Sequence, residues 1–220
     1  EGVHMLPNRI APFVNERPSY LIGCLLLSLL FFGQPLKAKQ VSGPVAGTTH
    51  PRPESLGSVP ESAVEDWPNY LGPRFDGTSA EKGLIQNWPA AGPRVLWSRP
   101  LGASYSAPVT SRGRLILFHR LEDREVVEAV DALTGTPIWK QSYPSAYEDR
   151  FGFNSGPRSS PTVEGEHVYT FGAEGKLTCL DFETGEVIWQ RWINRDFGVP
   201  QNFFGVGSAP VIDDDRILLN

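Results

Sequence analysis

Asp131-Ala132-Leu133-Thr134-Gly135-Thr136-Pro137-Ile138-Trp139 and Asp181-Phe182-Glu183-Thr184-Gly185-Glu186-Val187-Ile188-Trp189 decide the fold. The two stretches agree at Asp, Thr, Gly, Ile and Trp, and the second starts 50 residues after the first. A second signature keeps nearly the same interval. It reads Ser106-Ala107-Pro108-Val109, then Ser160-Pro161-Thr162-Val163, then Ser208-Ala209-Pro210-Val211, with prolines 53 and 49 residues apart. Between the signatures lie alternating runs: Arg114–Phe118 and Val126–Val130 in one unit, His167–Phe171 and Lys176–Leu180 in the next. Alternation with period two marks strands, so each unit reads as four short strands.

A repeat of about 50 residues with four strands and a Trp near its end has the form of a β-propeller blade, which stacks on neighbours to cover both faces. In the Asp-x-x-Thr-Gly turn, Asp131 and Asp181 are expected to accept backbone N–H bonds. Gly135 and Gly185 should take the positive φ of a bulged hairpin. Trp139 and Trp189 then follow on the outer strand, where a large flat side chain fills the gap between blades.

Composition agrees with an all-β fold. The 220 residues are 40% hydrophobic and 20% charged, with 22 Gly, 20 Pro and a single Met. Such a chain is not a coiled coil, a collagen or a helix bundle. Residues 1–38 hold Arg9, Arg17 and Lys37 against Glu1 and Glu16, which leaves 17 basic and 23 acidic residues beyond them. A negative body without a basic stripe disfavours nucleic acid as a partner. Two cysteines, Cys24 and Cys179, make no disulfide framework; Cys179 reads as a small buried hydrophobe.

Residues 1–38 read as a signal peptide or N-terminal anchor. Leu21–Phe32 is an uncharged run of twelve, preceded by Arg9 and Arg17 and followed by Gly33, Pro35 and Ala38. Leu21-Ile22-Gly23-Cys24 has the form of a lipoprotein acceptor site, although its cysteine precedes the apolar region rather than following it. Either reading places the chain in the periplasm or at the cell surface, touching the membrane only through this terminus. Residues 39–65, rich in Gly, Pro, Ser and Thr, read as a disordered linker. The propeller is expected over 66–220: a leading segment 66–97, a blade 98–139, a blade 154–189 and an incomplete blade 203–220. From Gly92 to Asn220 there is room for about two and a half units, against roughly four to eight blades in a closed ring, so a longer parent protein is expected.

The spacing Asp-x-x-Thr-Gly-x-x-x-Trp resembles the tryptophan-docking motif of the pyrroloquinoline quinone (PQQ) repeat. That repeat is found in quinoprotein alcohol dehydrogenases and in the propeller lipoprotein of the outer-membrane β-barrel assembly machinery. Asp66–Gly77, followed by Gly92-Pro93-Arg94-Val95-Leu96-Trp97, is similar to the start of PQQ-like propellers in exported planctomycete-type proteins. The resemblance covers roughly residues 66 to 220. It implies eight blades when complete, and Val95-Leu96-Trp97 as an outer strand closing the ring. It also implies two functions from different classes. One is a non-catalytic module that binds a protein or an extracytoplasmic polymer. The other is a dehydrogenase that uses PQQ with Ca²⁺ to oxidise an alcohol or sugar.

Chemistry is less legible than architecture. The four histidines stand apart and no Cys-x-x-Cys occurs, so no metal site is read. Gly72–Ser79 mimics a phosphate loop, but Thr78 stands where Lys is needed. Asp213-Asp214-Asp215 reads as a charged hairpin turn rather than a Ca²⁺ loop, and Glu148-Asp149-Arg150 as a solvated loop. No catalytic residue is assigned, and whether the chain is an enzyme stays open. In propellers, ligands sit on the loops that lead into the innermost strands, which makes Ser106, Asn154, Arg158, Ser160 and Ser208 the channel-facing candidates. Arg158 suits a carboxylate clamp for a tricarboxylate such as PQQ. Its other reading is an Arg bonded to the carbonyls of its own loop.

Overall fold

Two Asp-x-x-Thr-Gly turns each close a four-stranded antiparallel sheet. The computed structural model describes residues 65–84, 87–200 and 204–220. The segments read as signal or anchor and nearly all of the linker lie outside the described residues, as does the unit Glu1–Thr48; the strands below belong to the unit Thr49–Asn220. The first sheet orders β1 (Val109–Ser111), β2 (Arg114–Leu121), β3 (Arg124–Asp131) and β4 (Pro137–Pro144) from one edge to the other. The second repeats it with β5 (Thr162–Glu164), β6 (His167–Phe171), β7 (Lys176–Asp181) and β8 (Val187–Trp192). After a single helical turn, α1 (Ile193–Asp196), come β9 (Val211–Asp213) and β10 (Arg216–Leu218), an antiparallel pair. Asp214 takes a φ of 52° in the turn between them.

The fold is all-β, with two complete blades and the start of a third. The outer strands run past the tryptophans that were read as blade ends, β4 to Pro144 and β8 to Trp192. The ladder resumes after a bulge in each sheet, at Ala129/Val130 and at Cys179/Leu180. That bulge is produced by the turn. Asp131 Oδ1 accepts from the N–H groups of Leu133 (3.1 Å) and Thr134 (2.7 Å) and from the Thr134 hydroxyl (2.8 Å). Asp181 Oδ1 does the same with Glu183 (3.0 Å), Thr184 (2.8 Å) and the Thr184 hydroxyl (2.9 Å). Gly135 and Gly185 then sit at φ 70° and 73°, where a side chain is strained.

Each turn seats a tryptophan from the preceding strand or segment. The Trp139 indole N–H donates to Phe182 O (2.9 Å) and its ring lies on Gly185; Trp97 donates to Ala132 O (3.0 Å) and lies on Gly135. Trp97 does so from a stretch, 93–100, that forms no strand. The core between the blades joins Ile116, Phe118, Val127, Ala129 and Trp139 to Val163, Val168, Leu180 and Phe182. Each fully buried aliphatic or aromatic side chain there contributes about 1.5–3 kcal/mol. Because a neighbour covers each face, β3 and β7 are buried almost end to end instead of alternating.

A strap from the leading segment crosses both blades. Trp67 exchanges two backbone bonds with Thr110 in β1 (2.9 and 3.0 Å), and Pro68 O accepts from Val163 N–H in β5 (2.8 Å). The Asp66 carboxylate takes the Arg112 N–H at 3.0 Å. The strap thus occupies backbone groups of β1 and β5, the edge strands of the two sheets. Among the described residues, no helix is long and apolar enough to cross a membrane.

Candidate functional site

The loops that lead into β1, β5 and β9 meet on one rim. Tyr105 N–H bonds Pro157 O (2.9 Å) and Asn154 Nδ2 donates to Ser104 O (3.0 Å); in the loop before β9 the Phe204 ring centroid lies 6.5 Å from that of Phe151, and Val206 N–H bonds Ala173 O of the β6–β7 turn (3.0 Å). Gly156 allows this approach, since a Cβ there would collide with Ala103 O.

The five channel-facing candidates fall along this rim with their polar groups engaged in the fold. Ser160 Oγ accepts from the Ala107 N–H of the neighbouring blade (3.0 Å). Ser106 donates to Ala107 O (3.3 Å), while Asn154 Oδ1 accepts from Gly156 N–H (2.8 Å). Ser208 donates to Asn220 O (2.9 Å). Arg158 donates to Gly156 O (2.6 Å), Asn154 O (2.9 Å) and Asp149 (3.5 Å), with its guanidinium against the rings of Tyr147 (4.5 Å) and Tyr105 (5.3 Å). Its side chain is 11% exposed. In this arrangement Arg158 braces its own loop, the other of the two readings its position offered.

Asp149, read as part of a solvated loop, is the centre of that brace. Its side chain is 7% exposed and accepts from the N–H groups of Phe151 (2.9 Å) and Asn154 (3.3 Å) as well as from Arg158. What the pinned loop and the loop before β9 present to solvent is aromatic. Phe151, Phe153 and Phe204 are 58%, 78% and 62% exposed, and the Phe151 ring centroid lies 6.2 Å from Phe153 and 6.5 Å from Phe204. The Phe151-Gly152-Phe153 spacing carried that signal in the sequence.

Two buried polar links between successive elements were not legible in the sequence. Glu125 accepts from the Tyr143 hydroxyl (2.6 Å) and from Ala173 N–H of the next blade (2.9 Å), over Gly172, which has no side chain to displace them. Burial pushes its carboxyl above the ordinary range, against those two bonds, which lower it. His119 Nδ1 accepts from Gly102 N–H (3.1 Å), which leaves Nε2–H to donate to Glu128 (2.9 Å); Arg99 bridges both Glu128 oxygens at 3.0 Å. Burial holds the His119 pKa below its ordinary value, against its contact with Glu128. Cys179 is buried and its thiol is likewise pushed up by burial. In Gly72–Ser79, Arg74 is captured by Glu65 and by Thr78 O, which draws the Glu65 carboxyl down to about 2. Among the described residues, no three His, Cys, Asp or Glu side chains gather as metal ligands.

Comparisons with known proteins add the following. The quinohemoprotein alcohol dehydrogenase of Comamonas testosteroni is similar at 22% identity, over 72% of this chain and 24% of that one, with a TM-score of 0.46. BamB of Moraxella catarrhalis is similar at 18% identity, over 54% of this chain and 30% of that one, with a TM-score of 0.35. The chain thus spans less than a third of the length of either. No curated protein matches it. The family model described as outer membrane protein assembly factor BamB matches residues 78–219, well over half of the 220. Its two Asp-x-x-Thr-Gly blades and that match together place the chain in the BamB family of PQQ-repeat propellers.

Proposed function

We propose that this chain belongs to an exported PQQ-repeat propeller that works as a binding or scaffold module for a protein or extracytoplasmic polymer. One observation carries the reading. The polar side chains of the rim are engaged in bonds within and between blades, whereas the loop bonded around Asp149 exposes Phe151 and Phe153. Exposed aromatic rings on a pinned scaffold suit a macromolecular partner, because anchors that need no reordering lose little entropy on binding.

A quinoprotein dehydrogenase is the other function present among similar structures. PQQ carries three carboxylates and needs cationic donors, but Arg158 has its guanidinium turned into its own loop. The residue read as its clamp is therefore committed to its own loop.

Photo-crosslinking tests the binding reading. With p-benzoylphenylalanine at position 153 in the intact cell envelope, a discrete adduct is expected. The same group at Leu133, which is 62% exposed on an Asp-x-x-Thr-Gly turn, should give none. Equal labelling at both positions, together with stoichiometric PQQ binding in the presence of Ca²⁺, overturns the proposal.

A further inference from the structure

Trp97 and Trp139 each have a seat in the next sheet. Trp97 lies on Gly135 and Trp139 on Gly185, and each donates its indole N–H to a carbonyl of the same turn, Ala132 O and Phe182 O. Trp189, their equivalent on β8, has its ring 6.2 Å from Tyr169 of its own sheet, and no turn meets it among the described residues. It is partly exposed, where Trp139 is buried. Trp189 lines a groove of about 580 Å³ together with Leu177 of β7, Ile217 and Leu219 in and after β10, and Ile193 and Phe197 in and after α1. Among the described residues that line it only Arg191 is charged, and it pairs with Asp196 at 2.9 Å.

We infer that this groove seats a further strand and Asp-x-x-Thr-Gly turn, supplied by the chain that follows β10 in the parent protein and apolar on its inward face. In both complete sheets the third strand follows the second after a short turn and pairs with it: β3 starts at Arg124 after Leu121, and β7 at Lys176 after Phe171. The residues after β10 are therefore the ones placed to enter beside it. A second copy of this chain does not suit the groove, because both of its turns already carry a tryptophan of their own. The seating glycine lies 38 residues after Trp97 and 46 after Trp139, which sets a similar distance for the glycine that receives Trp189. The inward chemistry differs from that of the first two seats. One buries Glu128 against His119 and Arg99, the other Glu125 against Tyr143 and Ala173 N–H. This groove offers a carboxylate no such partners, and an unpaired charge buried there is costly, so its occupant carries aliphatic or aromatic side chains at those positions.

Fluorescence anisotropy tests this with the full chain and a labelled peptide of residues 176–188, which holds one strand and its turn. The peptide carries Cys179→Ala against oxidation and Thr178→Val, on the face that Leu180 turns to the core between the blades. It should bind. The same peptide with Gly185→Val, which blocks the turn, should not. A version with Thr178→Glu in place of Thr178→Val should bind about ten-fold more weakly or worse. In the chain, Trp189→Ala should weaken binding about ten-fold, as for a large aromatic anchor, while Trp88→Ala, which is 58% exposed and does not line the groove, should leave it unchanged. Ile217→Ser in the opposite wall serves the same purpose if Trp189→Ala does not fold. No binding, or binding that Gly185→Val or the groove variants leave unchanged, overturns the seat; equal binding of the Thr178→Glu peptide overturns its apolar chemistry. A reading frame without an Asp-x-x-Thr-Gly motif about 38–46 residues beyond Trp189 overturns the source. None of these outcomes touches the crosslink at position 153, so the binding reading above stands or falls separately.

Discussion

Gly185 and Gly113 share one backbone conformation and differ in what lies above them, which makes the tryptophan seat measurable. Both take a φ of 73°. A Cβ on Gly113 meets nothing within 4 Å, whereas on Gly185 it comes within 2.5 Å of Trp139 Cδ2 and Cε3. Gly113→Ala therefore carries only the left-handed backbone cost, about 1–2 kcal/mol. Gly185→Ala carries that cost and in addition lifts a Trp that is 9% exposed. Overpacking of a buried ring adds about 1–3 kcal/mol, and stretching its bond to Phe182 O adds up to about 1 kcal/mol more. The two variants should then differ by about 2 kcal/mol in urea unfolding followed by circular dichroism. In a Trp139→Ala background, itself destabilised by about 3–5 kcal/mol, the difference should vanish. A difference that survives without Trp139, or is absent with it, refutes the seat as the reason for glycine at position 185.

Other predictions follow from the buried polar links. The Glu125 carboxyl has its folded pKa raised above the unfolded value of 4.5, so its contribution is fully present below 4.5 and is lost as pH rises through the folded value. Glu125→Gln should therefore gain stability relative to the parent as pH rises from 4.5 to 7.5, and urea midpoints that shift in parallel would contradict this. His119 has its pKa lowered, so its contribution is present above 6.5 and is lost as pH falls through the folded value. His119→Gln should flatten that limb of the stability profile, and an unchanged slope would contradict it. Gly172→Ala brings a methyl group against Glu125 and the Tyr143 hydroxyl, at about 1–3 kcal/mol by the same unfolding assay. Asp149→Asn should loosen the loop that ends at Arg158, raising tryptic cleavage after Arg150 about ten-fold for a local loss of about 1.4 kcal/mol; unchanged cleavage would show the loop is held by other bonds.

The turns were legible in the sequence because they fix their own geometry. Asp131 and Asp181 satisfy N–H groups two and three residues away, so a nine-residue motif carries the whole instruction. The links between blades were not legible for the converse reason. Glu125 meets its partners 18 and 48 residues away, and no local pattern marks such a meeting. Glu128 likewise carries no local mark: β3 is covered on both faces, and Arg99 and His119, 29 and 9 residues away, make a buried carboxylate acceptable there. The rim was half legible. Its position follows from the Ser/Pro signatures, while the commitment of Arg158 depends on Asp149, whose place in the loop only the folded chain shows.

The strap also sets a clock for synthesis. Trp67 can pair with Thr110 as soon as the first sheet forms, but Pro68 must wait until Val163, 95 residues further along, has been made. The first sheet is complete at Pro144, 19 residues before Val163, so at a synthesis rate of about 5–20 residues per second the finished sheet waits roughly 1–4 s. During that wait the first sheet has its Trp67 contact but not the bond to β5. A ribosome pausing in the second repeat would therefore hold a nascent chain whose leading segment is fastened at one point and open at the next.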